Sequence, residues 1–177
     1  MTQEVQRILV IGTSCSGKTS FAHSLSKILQ CPHIELDALH WGPNWTPRPA
    51  EEFRALTEQA ASQERWVSDG NYPLTRDLLM SRATAVVWLN YAFPIVFGRA
   101  LCRTFTRIIT REELYSGNRE SLRMALFDRE SILWWVISTY RGRRKRYREL
   151  FDKKPFGHLT YVEFCTPAEA EQFLIRK

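Results

Sequence analysis

The segment Gly12-Thr13-Ser14-Cys15-Ser16-Gly17-Lys18-Thr19 sets two glycines, small hydroxyl and thiol side chains, a lysine and a further hydroxyl in one short stretch. Gly12 and Gly17 allow backbone angles and close approach that a Cβ would obstruct, so successive amides can converge on phosphate oxygens. Lys18 carries a charge suited to β- and γ-phosphates, and Thr19 offers its hydroxyl to Mg²⁺. Ser20 extends the same turn. The expected ligand is a nucleoside triphosphate, ATP or GTP, held by residues 12–20. Cys15 stands at the apex, where amides and a helix N-terminus would depress a thiol pKa. No companion residue suggests thiol catalysis, and Cys15 reads as a small filler.

Two aspartates could complete this chemistry. Arg65-Trp66-Val67-Ser68-Asp69-Gly70 reads as a strand ending in a carboxylate, at the end of a parallel strand where ligands sit. Asp69 is therefore expected to hold Mg²⁺ or its waters, the competing reading being an Asp-Gly turn. Asp37 closes the apolar segment Ile34-Glu35-Leu36-Asp37, read as the second strand. It faces the acceptor side, able to take a hydroxyl proton or bind an acceptor hydroxyl, or else to cap a helix. His40, Trp41 and Trp45 follow within one loop. Such rings stack on a base or sugar, or pack a proline-rich loop. Trp45 is expected to pack, His40 to be a surface or capping residue, and Trp41 is open.

Arg99, Arg103, Arg107 and Arg111 recur every fourth residue and form one stripe of a helix. Like charges at that spacing repel, so an anion is expected to neutralise them, and arginine is suited to bidentate phosphate contact. Arg99 and Arg103 are expected to stabilise transferring charge, with Arg103 and Arg107 on the nucleotide phosphates. Arg119 and Arg123, after the turn signal Gly117-Asn118, could complete a closing lid or pair with Glu112, Glu113 and Glu120. Arg141-Gly142-Arg143-Arg144-Lys145-Arg146-Tyr147-Arg148 is the densest basic run. It reads either as a nucleic-acid patch or as the end of the helix begun by Ile132–Ile137, where cations suit the macrodipole.

These residues need a scaffold. The chain has 177 residues, 44% hydrophobic and 25% charged, which suits one folded domain. Short apolar runs at Ile8–Ile11, His33–Leu36, Trp66–Ser68, Ala85–Leu89 and Leu159–Phe164 read as buried strands. Helical periods lie between them: Phe21, Leu25, Ile28 and Leu29, then Phe53, Leu56 and Ala60 behind Pro49. Thr166-Pro167-Ala168-Glu169 has the order of a capping box before Phe173 and Leu174. Strands alternating with long helices predict an α/β fold with a parallel sheet covered on both faces. The basic, helical stretch from Phe93 to Phe151 breaks the rhythm. It is expected to cover one end of the sheet and to include a mobile segment around Arg111 to Arg123.

No apolar run approaches the roughly 20 residues that span a bilayer, and no secretory leader is evident, so a cytoplasmic location is expected. The four cysteines lack metal-ligand spacing and are expected to be reduced and mostly buried. A net charge of +6 suits nucleotide phosphates and nucleic acid alike.

The phosphate loop, Asp69-Gly70-Asn71-Tyr72, the strand Val86-Val87-Trp88-Leu89 and the arginine stripe together resemble adenylate-kinase-like P-loop small kinases over nearly the whole chain. Leu36-Asp37-Ala38-Leu39-His40-Trp41 and Gly117-Asn118-Arg119-Glu120 narrow the resemblance to the topology-modulation proteins of that superfamily. The resemblance implies a P-loop NTPase fold with five parallel strands in the order 2-3-1-4-5, a helical lid after the fourth strand, and Mg-ATP as phosphoryl donor. True adenylate kinases carry Asp-Gly-Phe-Pro-Arg, whereas Asp69-Gly70 continues as Asn71-Tyr72-Pro73-Leu74-Thr75-Arg76, which displaces the arginine that would grip a monophosphate. The expected activity is phosphoryl transfer to a nucleotide, nucleoside or other hydroxylated metabolite, by a monomer or homodimer. A nucleic-acid-associated ATPase or nucleotide-binding regulator is the alternative.

Overall fold

The structure, a computed structural model, describes residues 6–110, 114–118 and 132–176. Five strands, β1 (Arg7–Gly12), β2 (His33–Glu35), β3 (Trp66–Asp69), β4 (Ala85–Leu89) and β5 (Thr160–Phe164), form one sheet. Every pairing is parallel and the order is β2-β3-β1-β4-β5. Parallel strands need crossovers that cover both faces, and their interior positions are accordingly mostly apolar, with Ser68 buried in β3 and its hydroxyl donating to the Ile34 carbonyl at 3.0 Å. Val10, Val67 and Val86 are fully buried.

Alternation along the strands divides the core in two. On one face Val10, Val67, Val87 and Leu89 meet Phe21, Ala22 and Leu25 of α1 (Lys18–Leu29), Val96 and Ala100 of α5 (Phe93–Thr110) and Ala170 of α7 (Pro167–Ile175). On the other, Leu9, Ile11, Val86 and Trp88 meet Phe53 and Ala61 of α3 (Ala50–Ala61) and Leu79 and Met80 of α4 (Pro73–Arg82). The long α6 (Ile132–Lys153) joins both: Val136 and Tyr140 belong to the first cluster, Tyr147 and Phe151 to the second. It passes the carboxyl end of β4, where Tyr140 donates to the Tyr91 carbonyl at 2.9 Å. Residues midway between its two buried ends therefore look onto the edge where a P-loop fold binds ligand.

The final helix starts as expected. Thr166 Oγ1 accepts from the Glu169 amide at 3.3 Å, and the Glu169 carboxylate accepts from the Cys165 amide at 2.8 Å. The second strand ends earlier than expected. Leu36 is buried in the second core cluster and opens the short helix α2 (Leu36–His40), so Asp37 stands in a helical first turn rather than at a strand end. Gly70 permits this, since its φ is 148° and a Cβ there would meet Leu36 side-chain atoms at 2.7 Å. The cysteines also differ from expectation: none is in a disulfide, but Cys102 and Cys165 are exposed and Cys15 and Cys31 only partly buried.

Of the stretch expected to be a mobile lid, Arg111, Arg119 and Arg123 lie outside the described residues. Leu114–Asn118 between them is docked. Asn118 is buried, its amide oxygen accepting from the Trp45 amide at 3.0 Å and its amide nitrogen donating to the Gly42 carbonyl at 2.9 Å. Ser116 donates to the Trp41 carbonyl at 2.9 Å. The Gly117-Asn118 turn signal is thus a clamp on the loop that follows α2.

Among the described residues no helix is long and apolar enough to cross a membrane.

Candidate active site

β1 delivers the chain into the phosphate loop, and α1 leaves it at Lys18. A Cβ at Gly12 would lie 2.7 Å from Ser16 Oγ and 2.9 Å from the Leu89 carbonyl oxygen, so only glycine fits there. Gly17 has φ 90° and forms the N-cap of α1 without any side-chain cap, leaving the first amides of the helix for an anion. Thr13 Oγ1 and Ser16 Oγ are buried with no hydrogen-bond partner among the described residues. Buried hydroxyls are ordinarily satisfied, and phosphate oxygens in this loop would satisfy them. Lys18 Nζ donates to the Thr13 carbonyl at 2.9 Å. Burial lowers its pKa, against the attraction of Asp69 and Asp37.

Thr19 Oγ1 donates to Asp69 Oδ2 at 2.8 Å, which joins the loop to the end of β3. Mg²⁺ takes oxygen ligands and commonly uses one or two protein groups together with phosphates and water. Thr19 and Asp69 suit that role, and among the described residues no group of three or more His, Cys, Asp or Glu offers another metal site. Asp69→Asn is expected to raise the Mg²⁺ needed for half-maximal ATP binding about tenfold. A Mg²⁺ titration superimposable on the wild type would reduce Asp69 to a turn residue.

At the first turn of α2, Tyr72 OH donates to Asp37 Oδ1 at 2.6 Å. Burial and the nearby Asp37 charge push the Tyr72 phenol above its usual pKa, so it remains a donor. Tyr115 OH donates to the Glu35 carboxylate. Burial raises the Glu35 pKa despite that bond. His40, expected at the surface or as a cap, is partly buried at the end of α2. Its ring packs between Tyr72 at 4.5 Å, Trp41 at 4.7 Å and Phe53 at 5.0 Å, and burial lowers its pKa against the attraction of Asp37. Trp45 packs edge-on against Trp41 at 5.7 Å.

The arginines divide by task. Arg99 NH1 donates to the Ser16 carbonyl at 2.7 Å, with its guanidinium over the Tyr91 ring, so it braces the loop through its backbone. Arg103 is partly buried with Nε lacking a hydrogen-bond partner, and Arg107 is partly buried one turn further along α5.

The basic run corrects the sequence reading most. It is not a helix terminus, because α6 continues to Lys153, and several of its cations have individual partners. Arg144 Nε donates to Asn90 Oδ1 at 2.9 Å. Arg148 pairs with Glu163 at 2.6 Å and lies over Trp88. Arg143 NH1 donates to Ser14 Oγ of the phosphate loop at 3.1 Å, with its guanidinium 5.2 Å from the Trp135 ring. Burial lowers the Arg143 pKa, while Tyr147, Asp37 and Tyr72 oppose that shift. Nearby, Tyr147 OH donates to Asn71 Oδ1 and Asn71 Nδ2 donates to the Gly12 carbonyl, each at 2.6 Å. Arg143 and Asn71 were both missed as site residues. A signal for Arg143 existed: it falls three after Tyr140 and four before Tyr147, on the stripe that α6 buries.

No protein-family profile matches the chain, and no curated protein matches it in sequence. Solved structures do match in shape. A gluconokinase from Sinorhizobium meliloti superposes with a TM-score of 0.54 at 21% identity, over 98% of this chain and 93% of its own. A shikimate kinase from Bacteroides thetaiotaomicron gives 0.52 at 16% identity, over 97% and 95%. At these identities the likeness is one of fold, and the chain has the five-stranded P-loop fold that those kinases share.

Proposed function

We propose that the protein transfers the γ-phosphoryl group of Mg-ATP to a hydroxyl of a small molecule. The observation that carries this reading is a convergence: Lys18, the Thr19–Asp69 pair, Arg143 on Ser14, and Asp37 meet at one sheet edge from separate elements. Phosphoryl transfer asks a protein mainly for positioning and for positive charge around the migrating group. The loop amides and Lys18 hold the β- and γ-phosphates, Arg143 faces the transferring oxygens, and Arg99 keeps the loop in shape. Asp37, oriented by Tyr72, accepts the acceptor's hydroxyl proton or hydrogen bond. Thr19 and Asp69 would hold Mg²⁺, which would supply neutralisation of the triphosphate charge. Radiolabelled ATP offered with a panel of nucleosides, nucleoside monophosphates and small hydroxylated metabolites tests the reading. A labelled product is expected from at least one of them; hydrolysis alone across the panel would overturn it.

The resemblance to topology-modulation proteins, and the open groove lined by Arg141, Arg144, Lys145 and Arg148, favour nucleic acid as a second reading. Arg148 is ion-paired with Glu163, and Arg144 is tied to the Asn90 amide oxygen, which fixes its direction without neutralising its charge. Each phosphate neutralised would contribute roughly −0.9 to the slope of log affinity against log salt. The expected result is weak binding to duplex and single-stranded DNA, with no response to Mg-ATP. Submicromolar affinity at physiological salt that responds to ATP and is lost on changing Arg141, Lys145 and Arg146 to Ala would favour the regulator.

A further inference from the structure

The pair that would hold the cation has a third member on its far side. His33 Nε2 lies 2.7 Å from Asp69 Oδ1, while Thr19 donates to Asp69 Oδ2 at 2.8 Å. A carboxylate accepts only, so Nε2 carries the proton. The contact follows from the register. β2 pairs with β3 so that Glu35 stands opposite Asp69 and His33 opposite Val67. With a period of two, His33 and Asp69 share the face that α1 covers, and Thr19 and His23, one turn apart on α1, reach the same place. The His23 and His33 rings lie 5.9 Å apart. Both partners are enclosed, the His33 side chain 13% exposed and that of Asp69 4%.

Asp69 without His33 would keep a buried oxygen unsatisfied and be free to turn about its last torsion, which in a carboxylate is broad. With His33 in place both oxygens are committed, and the one facing Thr19 stays there. We propose that His33 is a positioning residue for the cation site: its Nε2 proton fixes one oxygen of Asp69 so that the other remains aimed at Thr19. The same logic governs groups that hold metal ligands from behind, whose loss typically weakens metal affinity about 10–100-fold. Nothing in the local sequence marks His33, a histidine inside a short strand; the strand register reveals it. The inference rests on the reading of Thr19 and Asp69 as the metal-holding pair.

The test counts bound Mn²⁺ by electron paramagnetic resonance, with a non-hydrolysable ATP analogue present. His33→Leu removes the donor and keeps the bulk. His33→Gln places an amide N–H near the position of Nε2. His33→Leu is expected to raise the half-saturating Mn²⁺ concentration about tenfold or more, with metal-free nucleotide affinity near wild type and Tm lowered by the unsatisfied Asp69 oxygen, and His33→Gln to stay within about threefold of wild type in Mn²⁺ binding. If the leucine variant does not fold, His33→Asn, whose amide is too short to reach Asp69, takes its place with the same expectation. Equal shifts in the donor-lacking and Gln variants, no shift in either, or an equal loss of metal-free nucleotide binding would overturn the positioning role alone. Absence of Mn²⁺-dependent nucleotide binding in the wild type would overturn the metal-pair reading, and this proposal with it.

Discussion

Lys18→Met is expected to lower phosphoryl transfer by about 10²–10³-fold or more, the scale set by removing one preorganised donor from developing transition-state charge. The fold should survive. Among the described residues Lys18 makes a single side-chain hydrogen bond, to the Thr13 carbonyl, worth about 1 kcal/mol net against a typical domain stability of about 5–15 kcal/mol. Methionine keeps the unbranched stem that runs along the loop. What disappears is the ammonium, which the charges of Asp69 and Asp37 hold in place against the desolvation that lowers its pKa. Its bond to Thr13 closes the loop on itself, and phosphate oxygens would compete for the same protons. Because charge builds on the β,γ-bridging oxygen towards the transition state, kcat should fall more than ATP affinity. The measurement is steady-state turnover with an acceptor found by the labelled panel, or the background ATPase rate, beside calorimetric ATP binding and a melting curve. Turnover within about threefold of wild type would remove Lys18 from the chemistry and the kinase reading with it.

How much of this was legible in the sequence depended on range. The phosphate loop's conformation was, because its requirements are local: a Cβ at Gly12 would meet Ser16, and Gly17 takes a positive φ at the N-cap of α1. The sheet order was available through resemblance, and the strands through apolar runs with few ambiguities. Asp37 came out on the right side of the sheet but in the wrong element, since a buried Leu36 beneath Gly70 ends the strand early, and no local preference announces that. His40 was misjudged for a related reason. A histidine beside two tryptophans reads as polar surface until Phe53 and Tyr72 arrive from other elements to enclose it. His33 and Asn71 depend on strand register and on the approach of α6, contacts that span tens of residues. The arginine stripe of α5 was legible as a stripe, but Arg99 spends its guanidinium on the Ser16 carbonyl, which spacing alone does not distinguish from a phosphate contact.

Arg143→Ala is expected to lower kcat by about 10³-fold while changing the KM for ATP only a few-fold, the behaviour of an arginine that meets charge as it develops. The case rests on where α6 holds the side chain. Tyr140 anchors the helix to Tyr91, Tyr147 anchors it through Asn71 to Gly12, and Arg144 anchors it to Asn90. Arg143 between them has no freedom to remain in solvent. Its guanidinium lies at Ser14 of the loop and near Trp135, and its charge is felt together with those of Asp37 and Lys18. Burying a guanidinium near another cation is costly; Asp37 offsets part of that cost, and a bound phosphate would offset more. Arg143→Lys keeps the charge but loses the planar fork, and should recover only part of the rate. Two neighbours serve as controls. Arg146→Ala, in an exposed position of the same helix, should leave kcat unchanged. Arg99→Ala removes the brace on Ser16 and should weaken ATP binding along with turnover, because a loosened loop binds ground state and transition state alike less well. Loss of ATP affinity equal to the loss of kcat in Arg143→Ala would make it a second brace, and a rate unchanged by the substitution would leave the migrating charge to Lys18 and the metal.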